Sequence, residues 1–301
     1  MRKPKPHDGK IVHNQFLKFE KAISLTAVRK KRLSKSMLAL NAKLSNYLVR
    51  IDKLCYFSTK VQGSFKMGTI VMGKDGTYDI DVGIWFTQKP ALTPATIKNH
   101  IYRALEGHTL GGMIKKDKCI RVIYASEYHV DLPIYYKTRS DKHPFLGTKD
   151  CWIQTDPQGF CDWFQKAKVG KPQLVRIIKY FKYWANSKSQ KMPSGMAMTV
   201  WATENYVPHE RDDIAFYETT KAMYKKVDKS FECINPTPPN DDLMDRMTSN
   251  QKVYFWERLR NLAETTQRAI DKKDEKEAIY IWTAIFGKKF RKNNSQTQGI
   301  I

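Results

Sequence analysis

From His13 to about Ser58 the chain contains neither proline nor glycine, and its apolar residues recur at helical spacing. One stripe is Phe16, Phe19 and Ile23; another is Leu33, Met37, Leu40, Leu44, Leu48 and Ile51. The pattern predicts one long helix, or two helices joined near the basic run Arg29 to Arg32. Residues 61–136 read differently. Short β-rich runs appear at Thr69 to Met72, Tyr78 to Phe86, Cys119 to Ala125 and His129 to Tyr136. Gly73-Lys74-Asp75-Gly76 lies between the first two, and Asp-Gly flanked by apolar runs signals a hairpin. Glu127 and Tyr128 mark the tip of a second hairpin, and Pro94 through Gly107 reads as a helix. These elements amount to a small mixed sheet with a packed helix.

From about Pro144 the spacing returns to helical. The best segment is Lys171 to Asn186, with Pro172 at a helix start and Leu174, Ile178, Phe181 and Ala185 along one stripe. Val253 to Ile270 and Lys276 to Phe286 are two further helices, the second stopped by Gly287. The proline-rich stretch Asn235 to Asp242 is a rigid, non-helical linker. The expected class is therefore α+β, divided into a basic disordered arm (1–12), a first helix with an α/β core (13–150), a helical lobe (151–287) and a basic disordered tail (288–301). A cleft between core and lobe is the natural ligand site.

Charge sharpens this picture. Among 301 residues, 53 Lys and Arg against 30 Asp and Glu leave a net charge of +23, a field that attracts nucleotides, nucleic acid or an acidic membrane. The longest apolar runs, such as Tyr280 to Phe286, are too short to span a bilayer, and the N-terminal segment lacks the apolar stretch of a secretory signal. A cytoplasmic protein with no membrane partner is expected. Basic residues dominate the first helical stretch (Lys18, Lys21, Arg29, Lys30, Lys31, Arg32, Lys35, Lys43, Arg50), as a solvated face or a polyanion-binding strip. Five scattered cysteines (Cys55, Cys119, Cys151, Cys161, Cys233) form no CxxC pair or zinc spacing, so they read as free, packing thiols.

Candidate chemistry is concentrated in the core, in QGSFKMGT, YDIDVGIWF and YHVDLPIYY. Asp79 and Asp81 are two apart on a predicted strand and leave it on one face, while Ile80, Val82 and Ile84 supply the buried face. Two carboxylates so close repel unless a cation sits between them. Asp131 stands alone in an otherwise apolar strand and is equally hard to explain as packing. Three strand-borne aspartates suit a pair of Mg²⁺ ions, or Mn²⁺ in their place, around an in-line phosphoryl displacement. Gly63-Ser64 would bring backbone N–H groups and a hydroxyl to phosphate oxygens. His129 shares Asp131's strand face, as a plain strand histidine or a cleft residue.

Gly63-Ser64, then Asp79-x-Asp81, then Asp131 resembles the polymerase-β-type nucleotidyltransferases and, within them, the bacterial CD-NTases, relatives of cyclic GMP-AMP synthase and oligoadenylate synthase. The resemblance implies a polymerase-β-like core, a helical lobe and a long N-terminal helix bridging the two. Ile178 to Trp184 followed by Pro193-Ser194-Gly195 resembles the family's lysine-tryptophan helix and small-residue turn. It implies that Lys182 and Ser194 hold a triphosphate, with Lys179 as rival to Lys182; Lys182 also fits a snorkelling surface lysine and Ser194 a helix cap. Asn240-Asp241-Asp242 with Asp245-Arg246 resembles a late family stretch without an assigned role. The family's activity would be nucleotidyl transfer from NTPs (ATP and GTP first) with pyrophosphate release, closing a cyclic di- or trinucleotide messenger in anti-phage signalling. Some relatives use a HORMA-type activator. His209 has no neighbouring cysteine pair and Cys233 stands alone, so the zinc insertion of the animal enzyme is missing and long duplex nucleic acid is not strongly indicated; the basic first helix keeps nucleic-acid binding open. A linear template-independent polymerase or RNA-end transferase, and a basic nucleic-acid-binding protein with a degenerate core, are the competing readings.

Overall fold

The computed structural model describes residues 9–51, 54, 56–124 and 127–291. The chain divides into two compact units at different places from those the sequence suggests: residues 25–169 with 235–241, and residues 1–24, 170–234 and 242–301.

In the first unit, α2 (Ala27–Leu48) opens at Thr26, whose side chain accepts from the Arg29 N–H. The long first helix is therefore two helices, broken at Ser24 to Thr26 rather than at the basic run. The preceding helix, α1 (Lys10–Ile23), belongs to the other unit, so the expected long N-terminal helix is two described helices, one in each unit. The sheet that follows contains β1 (Phe57–Gln62), β2 (Tyr78–Phe86), β3 (Met113–Lys115), β4 (Ile120–Tyr124), β5 (Tyr128–Leu132), β6 (Ile134–Tyr136), β7 (Phe145–Gly147) and β8 (Trp152–Gln154). Its order is β3-β4-β5-β2-β6-β7-β8, with β1 also paired to β2. β5 and β6 both run parallel to β2 and are interrupted by Pro133, which has no N–H to give; its carbonyl still accepts from Ile84 N–H at 2.8 Å.

Two sequence expectations fail here. Thr69 to Met72 is not a strand: Ile70 and Met72 are buried, but the segment runs outside the sheet with Thr69 N–H donating to Ser64 O at 2.9 Å, and the antiparallel partner of β2 is the earlier β1. The Asp-Gly turn forms all the same, closed by Gly73 N–H to Thr77 O at 2.8 Å. After Pro144 the chain makes the β7–β8 hairpin before any helix, held by pairing to β6, and two three-residue strands are too short to show an alternation in the sequence.

Even positions of β2 (Tyr78, Ile80, Val82, Ile84, Phe86) join the core with Leu33, Leu40, Leu44 and Leu48 of α2 and Ile97, Ile101 and Leu105 at α4 (Pro94–Ala104). That leaves the odd positions, Asp79 and Asp81 among them, on the opposite face. On β1's side, α3 (Gly63–Met67) follows at once and is tied down by α5 (Pro157–Ala167) and the residue after it. Gln165 Nε2 donates to Lys66 O at 3.0 Å and Lys168 Nζ to Met67 O at 3.3 Å, satisfying carbonyls that a five-residue helix leaves unpaired.

The second unit is helical. It comprises α1, α6 (Pro172–Asn186), α7 (Gly195–Glu204), α8 (Asp212–Lys229), α9 (Ser249–Ile270), α10 (Glu275–Phe286) and α11 (Lys288–Arg291). Its centre is aromatic: Phe16 stands edge-on to Tyr180 at 5.1 Å, Trp282 at 4.9 Å and Phe290 at 5.1 Å, and Phe19 lies 4.8 Å from Phe286. Edge-to-face pairs of this kind contribute about 0.5–1.5 kcal/mol each beyond area burial. Order therefore extends further toward both ends than the sequence implies. Lys10 to Val12 are helical with Val12 fully buried, and Phe290 inserts into the aromatic centre. Residues 1–8 and 292–301, and with them the rest of the expected arm and tail, lie outside the described residues, as does Cys55. Cys119, Cys161 and Cys233 are buried free thiols and Cys151 is an exposed one, as the cysteine pattern implied. No helix among the described residues is long and apolar enough to cross a membrane.

Candidate active site

Register brings the three aspartates together. Asp79 is directly opposite His129 on the parallel strand β5, and Asp81 is opposite Asp131. Paired residues on neighbouring strands project from the same face, so the two-residue spacing on β2 and the pairing with β5 place all three carboxylates on one patch. Asp79 is half-exposed, at 52% of its side chain, while Asp131 is nearly enclosed at 15%.

Gly63 packs against the middle member. Its φ is +64°, and a Cβ built on it would lie 2.2 Å from Asp81 Oδ2. Glycine is required twice over, by the left-handed backbone and by the approach of the β1–α3 junction to a carboxylate. Ser64 follows, half-buried, at the second position of α3. The sequence placed this turn after a helix; in the structure strand β1 delivers it, with Gln62 in register opposite Asp81.

Arg121 escaped the sequence reading. It lies on β4 opposite Asp131, and its guanidinium grips that carboxylate end-on, Nε to Oδ1 at 2.7 Å and Nη2 to Oδ2 at 2.8 Å. The same Nη2 reaches Asp79 Oδ2 at 2.9 Å. His129 Nδ1 lies 2.7 Å from Asp79 Oδ1, a donor's distance to a carboxylate. Its 3.4 Å contact with Arg121 Nη1 is then no bond, since both nitrogens would be donors. The hydrogen bond to Asp131 and the charges of Asp131 and Asp79 hold the guanidinium firmly protonated. Cys119, one residue before β4, has its thiol pushed up to about 12, by burial first and then by the negative charge of Asp131.

As they stand, no three acidic, histidine or cysteine side chains among the described residues converge in a metal-holding arrangement. The donor set nevertheless suits a hard divalent cation: three carboxylates on one face, the oxygens of Asp79 and Asp131 each keeping a lone pair beyond the contact to Arg121 or His129. The residues that would hold it are Asp79, Asp81 and Asp131.

The remaining predicted residues belong to the helical unit. Lys182 is buried on α6, and its side chain runs beside the start of α7, Cε lying 3.5 Å from where a Gly195 Cβ would be. Ser194 caps α7, accepting from Ala197 N–H at 3.2 Å, and its hydroxyl proton remains a donor. Lys179, the rival lysine, is engaged elsewhere: Nζ donates to Glu20 Oε1 at 2.6 Å and Ser24 Oγ at 2.9 Å. Asp241 and Asp242 close the proline-rich loop. The Asp241 carbonyl accepts from Asn235 N–H, and the Asp242 carboxylate accepts from Cys233 and Met244 N–H.

A carboxylate pair on a central strand, a third in register beside it and a glycine turn packed on the pair are the features that the sequence resemblance to nucleotidyltransferases rests on. Residues 57–135, which contain all of these groups, match the family model of the cyclic GMP-AMP synthase DncV-like nucleotidyltransferase domain. A cyclic GMP-AMP synthase of Escherichia albertii is 26% identical over 238 residues, 73% of this chain and 53% of that protein, so the chain spans about half the length of this relative. Vibrio cholerae DncV, a cyclic AMP-GMP synthase, superposes with a TM-score of 0.80 at 15% identity over 93% of this chain and 97% of that one. Escherichia coli CdnC, solved in complex with a HORMA protein, gives 0.73 at 16% identity over 92% and 98%. At such identities the two structures show a shared fold. The domain match over residues 57–135 bears out the resemblance to the bacterial CD-NTases, and the shared fold agrees with it.

Proposed function

We propose that the protein is a nucleotidyltransferase that joins NTPs into a cyclic di- or trinucleotide with release of pyrophosphate, as a signal in bacterial anti-phage defence. The observation that carries this reading is the register of Asp81 with Asp131 beside Asp79 on one sheet face. These three side chains would hold the divalent ions, Mg²⁺ or Mn²⁺. Such ions, when bound, make the acceptor hydroxyl easier to deprotonate and neutralise the phosphates. The acceptor oxygen forms a bond to the donor's α-phosphorus, the bond from that phosphorus to the β-phosphate oxygen breaks, and pyrophosphate leaves. Asp131 orients the acceptor side of this exchange and helps accept its proton. The Gly63-Ser64 turn presents backbone N–H groups and a hydroxyl to the β and γ phosphates. Lys182 and Ser194 carry the triphosphate role, Lys182 as the charge and Ser194 through the proton its cap leaves over. ATP and GTP are the first substrates to test, because the E. albertii and V. cholerae proteins are named for products built from them. A HORMA-type protein is the first activator to test, given the E. coli complex.

The deciding experiment incubates the protein with all four NTPs and Mg²⁺ or Mn²⁺, with and without such an activator, and identifies phosphatase-resistant products by mass. A cyclic product supports the proposal. A phosphatase-sensitive linear chain replaces it with a template-independent polymerase, and no product with salt-sensitive nucleic-acid binding points to a binding protein.

Lys182→Ala should weaken apparent NTP affinity about ten-fold or more, the scale of losing one charged phosphate contact. Mn²⁺ binding should be unchanged. Competition with a fluorescent NTP analogue measures this. An unaltered affinity removes the role from Lys182, and the Glu20 ion pair of Lys179 makes that lysine a poor substitute.

A further inference from the structure

The carboxylates that would bind metal already have a cation among them. Arg121 Nη2 is shared, 2.8 Å from Asp131 Oδ2 and 2.9 Å from Asp79 Oδ2, while Nε fixes the other Asp131 oxygen at 2.7 Å. The two contacts differ in strength. The one to Asp131 is a bidentate fork between side chains that are 18% and 15% exposed; the one to Asp79 is a single hydrogen bond to a half-exposed side chain that His129 also holds. A guanidinium is rigid and fits a carboxylate edge, so the fork is the last contact to yield. A divalent cation held by Asp79 and Asp131 would share with Nη2 the oxygens that it now contacts, Asp79 Oδ2 and Asp131 Oδ2. Three carboxylates left without any cation would repel one another.

We propose that Arg121 is an internal counter-cation that competes with divalent metal for this site. Metal binding displaces its Nη2 from Asp79, and the arginine remains on Asp131 as the residue that positions it. Arg121 thereby sets how much free metal the protein needs before the site assembles, and keeps the carboxylates in register below that threshold. The inference deepens the proposed function and rests on its reading of the trio as a metal site.

The test measures Mn²⁺ binding to the full chain without nucleotide, by the electron paramagnetic resonance signal of the free ion. Arg121→Gln should bind Mn²⁺ about ten-fold more tightly than the unaltered protein, the scale of one charge-assisted hydrogen bond no longer competing. Arg121→Lys keeps the charge but loses the fork, and should fall between them. Lys116→Gln removes a neighbouring cation 3.9 Å from Asp131 that does not bridge, and should change affinity less than about two-fold, as a screened surface charge does. Thermal unfolding in EDTA should show Arg121→Gln melting below the parent and regaining more than the parent on adding Mn²⁺. Equal or weaker Mn²⁺ binding by Arg121→Gln overturns the proposal, as does an equal gain from Lys116→Gln. Should Arg121→Gln fail to fold, Arg121→Lys decides by the same comparison. The underlying metal reading fails separately, if Asp79→Asn with Asp81→Asn leaves the parent's Mn²⁺ binding intact.

Discussion

Asp79→Asn combined with Asp81→Asn should abolish NTP turnover, by a factor on the order of 10³ or more, while leaving the protein folded. The size follows from what is removed: two of three anionic ligands for ions that supply several kcal/mol of charge stabilisation to the transition state. The survival of the fold follows from where they sit. Both project from the face of β2 opposite the core built by Ile80, Val82 and Ile84, and Asp79 is half-exposed. Asparagine at 79 keeps the shape and one acceptor oxygen, enough for either Arg121 or His129, and the exchange relieves repulsion between neighbouring carboxylates. The stability change should stay within about 1 kcal/mol, the usual range for an exposed ion pair. Pyrophosphate release and a thermal melt on the same preparation check both halves. Full activity in the folded double variant would detach the three aspartates from catalysis.

That prediction could be framed from sequence because alternation on a strand is a strong rule. Asp79, Asp81 and Asp131 each interrupt an apolar run, and no core packing explains such interruptions. Arg121 interrupts its run in the same way and was still overlooked. The reason is register. With the hairpin tip read at Glu127 and Tyr128, Asp131 would face Tyr124; the actual pairing of Tyr124 with Tyr128 puts Arg121 opposite Asp131. A slip in the tip moves every cross-strand partner. The long helices of the second unit were legible for the opposite reason. Pro172 and Gly287 bound their helices where the sequence said they would, since a missing N–H and a left-handed backbone are local properties. The break at Ser24 to Thr26 was missed because Thr26 is a cap without the usual acidic or amide partner three residues on; Arg29 stands there. Short strands such as β7 and β8 exist only because a neighbour accepts their hydrogen bonds, and three residues carry no period.

The second large effect lies away from the nucleotidyltransferase domain. Asp212, at the start of α8, is fully buried and collects a bidentate pair from Arg176 at 2.7 Å, Gln173 Nε2 at 2.9 Å and the Tyr180 hydroxyl at 2.9 Å. Its backbone N–H donates to His13 Nδ1 at 3.0 Å, so one residue joins α1, α6 and α8. Asp212→Ala should cost about 3–5 kcal/mol, because removing one partner of a buried pair leaves the other's charge uncompensated. For a chain of this size that is a fall in Tm of roughly 6–20 °C. Burial alone would raise the carboxyl's pKa; the hydrogen bonds from Arg176, Gln173 and Tyr180 and the arginine's charge outweigh it and hold it below the ordinary range. A depressed folded-state pKa stabilises above the unfolded value of about 4 and loses that contribution as pH falls through the folded value. The parent should therefore lose stability steeply below about pH 4, a limb that Asp212→Asn should flatten while lowering stability at neutral pH. Thermal melts from pH 3 to 7 on both proteins measure it, and parallel acid limbs would show that Asp212 is not the group whose protonation loosens the helical unit.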